Sequence, residues 1–329
     1  VPLTIAIIFA LHPIHTEVVA NIKSRDEIMS LFFLLSAFTV WDVYILQNKK
    51  SFLCLSVMLY FLSLLSKETA ITMFPVFGLL CWTVYRQSLN TSIRKGLIFI
   101  IPVVIIFIIR FALFHDHTSP PVDIMDNPIV SADGFAQHLA TSILILWKYL
   151  WILIFPYPLS SDYSYLVIPL TSFSDVRVWI GILIYGLMLL FSLAKLKQKD
   201  FLGLVVVSYL LAISLFSQLL MTIGTMFGER LAYLGSFWLL AGLIYLIYTS
   251  LKLLKSSIKT DQLVFWLFSP VAVIFLFLTA NRNLVWKNNY TLFTTDAHTY
   301  PTSVRLNNGA AEESVRLSDQ EHDPIKKNE

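Results

Sequence analysis

Charge is scarce in this sequence: Asp, Glu, Lys and Arg make up only 14% of its 329 residues, and the net charge is +3. A simple nucleic-acid-binding protein needs a basic face, and a disordered chain needs far more charge and less apolar surface, so both classes are excluded. Cysteine is almost absent: Cys54 and Cys81 both lie inside apolar runs and read as small fillers, which excludes a disulfide-stapled domain. With 11 Gly and 13 Pro there is no collagen-like repeat. No glycine-rich phosphate loop appears, so a nucleotide-sugar fold has no anchor. What is abundant is apolar: 57% hydrophobic residues, 25 Phe and 8 Trp, with a mean hydropathy of +0.71. Such a composition belongs to a membrane protein.

The chain begins at Val1. Its first apolar run, 1–11, rises only about 16 Å as a helix against about 30 Å of hydrocarbon, so it reads as a clipped crossing whose N-terminal part precedes the sequence. Nine further apolar segments follow, at 28–46, 51–65, 70–85, 97–114, 139–157, 178–194, 201–221, 231–251 and 263–280. None alternates polar and apolar residues as a β-barrel strand must, so all are read as helix. Lys49, Lys50, Arg86, Arg94, Lys95, Lys195, Lys197, Lys199, Lys252, Lys255 and Lys259 collect in four short loops, which the positive-inside rule makes cytoplasmic. Most acids fall in the intervening loops, so any chemistry is expected on the outer side. That sidedness holds only if 139–157 does not cross; Lys148 at its middle and Pro156 and Pro158 at its end fit a re-entrant or interfacial helix. The expectation is an all-α polytopic membrane protein with eight crossings over 1–280 after the clipped one. An outer helical segment at 281–317 and a flexible polar tail at 318–329 follow.

Charged groups near the membrane are the candidate chemistry. After His12-Pro13-Ile14-His15, a continuous helix would place Glu17, Asn21 and Arg25 on one face. Such a face lines a pocket or is simply a solvated interfacial helix. The pair Lys67-Glu68 interrupts two apolar runs of 15 and 16 residues. Each reaches only about 22–24 Å, so the turn sits at membrane depth; the plain alternative is a mutual salt bridge. Arg230 in Gly228-Glu229-Arg230-Leu231-Ala232-Tyr233, and Arg110 near the end of 97–114, suit a lipid phosphate or snorkel to the headgroups. His115, Asp116, His117, Asp123, Asp126, Asp133 and His138 form either a cation site or a solvated loop. Asp162-Tyr163-Ser164 is a sugar contact or an ordinary turn.

Four stretches, in order, resemble the transmembrane and tetratricopeptide-repeat-containing O-mannosyltransferases and their bacterial relatives in the glycosyltransferase C superfamily. They are His12-Pro13-Ile14-His15-Thr16-Glu17-Val18-Val19-Ala20 with Arg25-Asp26-Glu27; Leu65-Ser66-Lys67-Glu68-Thr69; Asp126-Asn127-Pro128 leading through Tyr149-Leu150-Trp151 to Pro158-Leu159-Ser160-Ser161-Asp162-Tyr163-Ser164; and Gly228-Glu229-Arg230-Leu231-Ala232-Tyr233-Leu234. Arg282-Asn283, Trp286, Leu292-Phe293, Ala297, Pro301 and Asn307-Asn308-Gly309 look like the start of that family's helical repeat.

The resemblance implies a glycosyltransferase C-type bundle that moves a sugar, mannose in the best-known members, from a polyprenyl-phosphate carrier to a protein hydroxyl. The active side faces an endoplasmic reticulum lumen or a bacterial periplasm. The site it implies has Glu17, His12 and His15 as catalytic residues, and Arg25, Lys67, Glu68, Asp162, Tyr163 and Arg230 as substrate-binding residues. Partners are the carrier, the acceptor protein and membrane lipid, with no nucleic acid. No metal ligands are assigned, and a divalent-cation requirement stays open. The family's catalytic acid lies in a first outer loop that precedes residue 1. The rival reading is a non-catalytic carrier-lipid binding or transport scaffold of the same fold.

Overall fold

A computed structural model describes residues 1–114, 121–165, 167–253 and 259–321, and every regular element among them is helical. The chain enters through α1 (Pro2–Leu11) and, after a bend of 55°, the helical stretch Pro13–Ala20, which ends in a short α2 (Thr16–Ala20). The long α3 (Arg25–Gln47) stops at Asn48, whose left-handed backbone (φ 53°) reverses the chain into α4 (Lys50–Ser66). After a 3-10 turn at Glu68–Met73 come α5 (Phe74–Thr83), α6 (Leu89–Leu97) and α7 (Ile100–Phe114). Then follow α8 (Gly134–Ile154), α9 (Val176–Lys197), α10 (Phe201–Ser214), α11 (Tyr233–Lys252) and α12 (Thr260–Val285). An outer pair, α13 (Asn289–Thr299) and α14 (Val304–Glu321), ends the described chain.

This is an all-α multi-pass membrane protein: among the described residues six helical segments, α8 included, are long and apolar enough to cross a bilayer. The eight expected crossings are not alike. Five of the segments behind them clear that length, whereas Lys50–Ser66, Glu68–Thr83 and Phe201–Ser217 are shorter. The run expected at 201–221 breaks early, because Gln218 turns left-handed (φ 60°) and its buried amide takes over the local hydrogen bonding. Its Oε1 accepts from Asn127 Nδ2 and the Ile223 amide, and its Nε2 donates to the Thr225 carbonyl. The loop is thereby folded back against residues 126–128 rather than extending the helix.

Polar contacts join loops that the charge pattern places together. Lys199 Nζ donates to the carbonyls of Arg86 and Gln87, joining two of the cation-rich loops. At the opposite end, α8 is held at both termini by segments assigned outside. Near its start His138 reaches Thr222 and Thr141 Oγ1 accepts from the Thr171 amide. Near its end the Leu153 carbonyl bonds His12 Nε2. Lys148 on this helix turns onto the faces of Tyr163, Phe227 and Tyr300, at 4.9, 5.3 and 5.6 Å from the ring centres.

Within the bundle α5 and α6 approach at Gly78 and Gly96. A Cβ on Gly78 would sit 2.9 Å from the Ser92 carbonyl oxygen, and one on Gly96 would sit 2.9 Å from the Gly78 Cα. Small residues let membrane helices close to backbone contact, where packing alone supplies the attraction. Gly78→Val is therefore expected to destabilise the protein by about 1–3 kcal/mol. Gly186, which has nothing within 4 Å of its would-be Cβ, should accept valine without loss. Equal melting temperatures for the two variants in detergent would contradict this packing.

Candidate functional site

Loops at the end of the bundle that carries Glu17 and Arg230 converge on a polar cleft of about 540 Å³. Glu17, Arg230, Asp162 and, at the end of α12, Trp286 line one side, and Phe293 of α13 and Arg305 of α14 line the other. At its membrane edge Glu17 is buried and receives both donors of Arg230. Its Oε2 accepts from the Arg230 amide at 3.0 Å and its Oε1 from the guanidinium at 3.1 Å. The Arg230 side chain stays one-third exposed and lines the cleft. A guanidinium so fixed can pair with phosphate oxygens.

Other expected site residues occupy different positions. Glu17, Asn21 and Arg25 do not share a helical face, because α2 ends at Ala20 and Asn21 is extended (ψ 114°). The Asn21 side chain accepts the Lys23 amide and starts a 3-10 turn, a local competitor to helix that residue periodicity does not reveal. Arg25 is exposed and pairs with no other described residue.

Neither histidine is open to a substrate. His12 Nδ1 accepts from the Ile14 amide, so the assigned tautomer carries its proton on Nε2 and donates it to the Leu153 carbonyl at 3.0 Å. His15 Nε2 bonds Ser236 Oγ at 2.8 Å, and its ring packs between Phe9 and Tyr233. Both rings are buried and tie α1 and α2 to α8 and α11, a structural role in place of the catalytic one expected.

Lys67 and Glu68 do not form the mutual pair offered as their plain reading. Lys67 Nζ bonds Asp26 at 2.5 Å and lies 3.3 Å from Glu27, while Glu68 pairs with Arg110 at 3.3 Å on the exposed side. Partial burial opposes the charge on Lys67, but Glu27 and Asp26 outweigh it and raise its pKa. Asp162 acts largely as a turn former: its Oδ2 accepts the amide and hydroxyl of Ser164, and Arg305 lies 3.6 Å from its other oxygen. Tyr163 is buried, its hydroxyl donating to Glu229 Oε1 at 2.6 Å; burial, and then the Glu229 charge, raise its pKa well above the usual value.

The carboxylates of the loop before α8 serve separately. Asp126 pairs with Arg305, Asp123 accepts the Met125 amide, and His115, Asp116 and His117 lie outside the described residues. Among the described residues no three His, Cys, Asp or Glu side chains converge in a way that could hold a metal ion.

Sequence reasoning passed over Glu229, Arg282 and Asp296. Asp296 receives a two-pronged bond from Arg282 at 2.6 and 3.0 Å, and both side chains are buried. Glu229, fully buried, stood next to Arg230 in a motif already singled out, and a carboxylate in so apolar a stretch was its available signal. Arg282 and Asp296 lie on either side of a helix break, so no periodicity connects them.

Comparison with known proteins follows the same landmarks. A family model described as "Protein O-mannosyl-transferase TMTC, DUF1736" matches residues 116–189, the stretch holding α8 and the turn at Pro158–Ser164. A protein O-mannosyl-transferase of Caenorhabditis elegans is 25% identical over 309 residues, covering 92% of this chain and 41% of that protein. The chain is thus similar to the TMTC protein O-mannosyl-transferases, by a family model over residues 116–189 and by relatives along most of its length. Mouse protein O-mannosyl-transferase TMTC3 is 25% identical over 88% of this chain and 34% of its own length; human TMTC4 is 25% identical over 92% and 45%. The chain thus spans less than half of these TMTC relatives. No solved structure matches it.

Proposed function

We propose that this chain carries the outer-facing site of a protein O-mannosyl-transferase. That site moves mannose from a polyprenyl- or dolichyl-phosphate carrier to a Ser or Thr hydroxyl of a protein. The observation that carries this reading is the Glu17–Arg230 pair, built from two family motifs and placed where the bundle meets a polar cleft. Departure of the carrier phosphate develops negative charge, and the guanidinium of Arg230 meets it. Glu17 holds that guanidinium before the carrier binds, and its carboxylate is the candidate base for the acceptor hydroxyl once phosphate competes for the arginine. Trp286, at the end of α12, and Phe293 of α13 face the same cleft, where a sugar or acceptor chain would lie. The active side is the endoplasmic reticulum lumen or the bacterial periplasm, and α13–α14 is the first unit of a tetratricopeptide-like array.

A scaffold reading is favoured by one observation: His12, His15 and Glu17 are all engaged within the protein. Transfer of labelled mannose from polyprenyl-phosphate mannose to a Ser/Thr peptide by the full-length protein in lipid separates the two. Transfer that is lost in Arg230→Ala supports the enzyme; carrier binding without transfer supports the scaffold.

The sidedness requires α8 to stay on the outer side. Cysteines at Ser131 and Ser172, which flank it and are exposed, should react with an impermeant maleimide from the same side of sealed vesicles. Labelling from opposite sides would make α8 a crossing and invert every later loop.

A further inference from the structure

One buried carboxylate of the outer helical pair joins three parts of the chain. Asp296 in α13 is fully buried, takes both Nη atoms of Arg282 at the end of α12, and accepts the Ser161 amide on Oδ2 at 2.7 Å. The neighbouring Ser160 amide donates to Glu229 Oε1 at 2.7 Å, and the same oxygen accepts the Tyr163 hydroxyl. Arg230 is the next residue, and its amide and guanidinium hold Glu17. Asp296 is therefore linked to the Glu17–Arg230 pair through bonds none longer than 3.1 Å.

The segment that carries Arg230 is fixed mainly by side chains: the Gly228 amide donates to the Tyr149 hydroxyl at 3.3 Å, Phe227 stacks on the Tyr149 ring, and Glu229 is fully buried. Gly228 is extended (φ −165°, ψ 140°), and residues 229–232 make a single 3-10 turn before α11 begins. Such a turn has few backbone bonds of its own, so its position depends on side-chain contacts. Glu229 is one of its buried anchors: both donors to its Oε1 come from residues 160–163, a loop tied in turn to Asp296, while its buried Oε2 has no protein partner among the described residues. Removing the Asp296 charge leaves the Arg282 guanidinium and the Ser161 amide short of an acceptor in a buried place, which favours rearrangement of the loop.

We propose that Asp296 is a positioning residue for Arg230: the outer helical pair, acting through Ser161, Ser160 and Glu229, sets where the carrier-phosphate arginine stands. This rests on the proposed role of Arg230. It makes α13 part of the transfer site, so that a chain bound along α13–α14 and the carrier in the membrane act on one another through this loop.

The test uses full-length protein in lipid nanodiscs: wild type, Asp296→Asn and Tyr163→Phe, each also in an Arg230→Lys background. Two readouts are taken, the KM values for polyprenyl-phosphate mannose and for an acceptor peptide, and hydrogen exchange of residues 228–231, where the Arg230 amide reports its bond to Glu17. Asp296→Asn should raise the donor KM about tenfold and speed exchange at 228–231 by about tenfold or more, with exchange within α11 unchanged. In the Arg230→Lys background its effect on donor KM should shrink to about twofold or less, because the two residues act as one unit. Tyr163→Phe removes one of the two donors to Glu229 and should act in the same direction by about threefold, which keeps the test open if Asp296→Asn does not fold. Unchanged exchange at 228–231, or a donor-KM effect of equal size in both backgrounds, overturns the proposal. If wild-type protein transfers no sugar, the functional reading falls and the exchange measurement alone decides the positioning.

Discussion

Arg230→Ala in the full-length protein is expected to lower mannosyl transfer by about 10²–10³-fold, the loss seen when a preorganised donor to developing negative charge is deleted. The structure gives this residue two properties that a snorkelling arginine lacks. Its amide and guanidinium are both fixed on one buried carboxylate, and about a third of its side chain faces a polar cleft rather than lipid headgroups. Arg230→Lys keeps the charge but not the planar fork, and should recover only part of the rate, about tenfold above alanine. Steady-state transfer from labelled carrier measures all three proteins. A lysine variant as fast as wild type would mean that charge alone matters, and an alanine variant as fast as wild type would remove Arg230 from the site.

Glu17→Gln should be nearly as damaging, by about 10²-fold in kcat, within the range for loss of a general base. Glutamine keeps the size and an acceptor for the Arg230 amide, so the fold is expected to survive. Two roles can be separated in the same experiment. If Glu17 only anchors Arg230, the variant raises the donor KM and its effect nearly vanishes in an Arg230→Ala background. If its carboxylate also takes the acceptor proton, kcat falls at saturating donor, and acceptors with more acidic hydroxyls recover part of the loss.

The membrane character was legible because it rests on long-range averages. Apolar runs must be helices in lipid, and cation placement along the loops agrees with the contact between Lys199 and residues 86–87. Glu17 and Arg230 were legible one at a time, as charges at a boundary, but not as a pair, since 213 residues separate them. For the histidines, residue type shows that a ring can accept a proton, whereas its use depends on the partners of each nitrogen, and those come from α8 and α11. Lys67 shows the same limit, as its carboxylate partners lie on α3 rather than at the neighbouring Glu68. Asn21 shows a local one, a side chain that ends a helix where periodicity would continue it.

Sidedness of transfer tests the central claim most directly. Full-length protein is reconstituted in sealed vesicles with labelled polyprenyl-phosphate mannose in the bilayer. A Ser/Thr acceptor peptide is supplied either outside or enclosed, and protein orientation is scored by labelling a cysteine at Ser172. The account predicts label on the peptide only in the compartment that Ser172 faces, and none with Arg230→Ala. Label in the compartment of Lys199, or no label on either side from protein that binds the carrier, would contradict it.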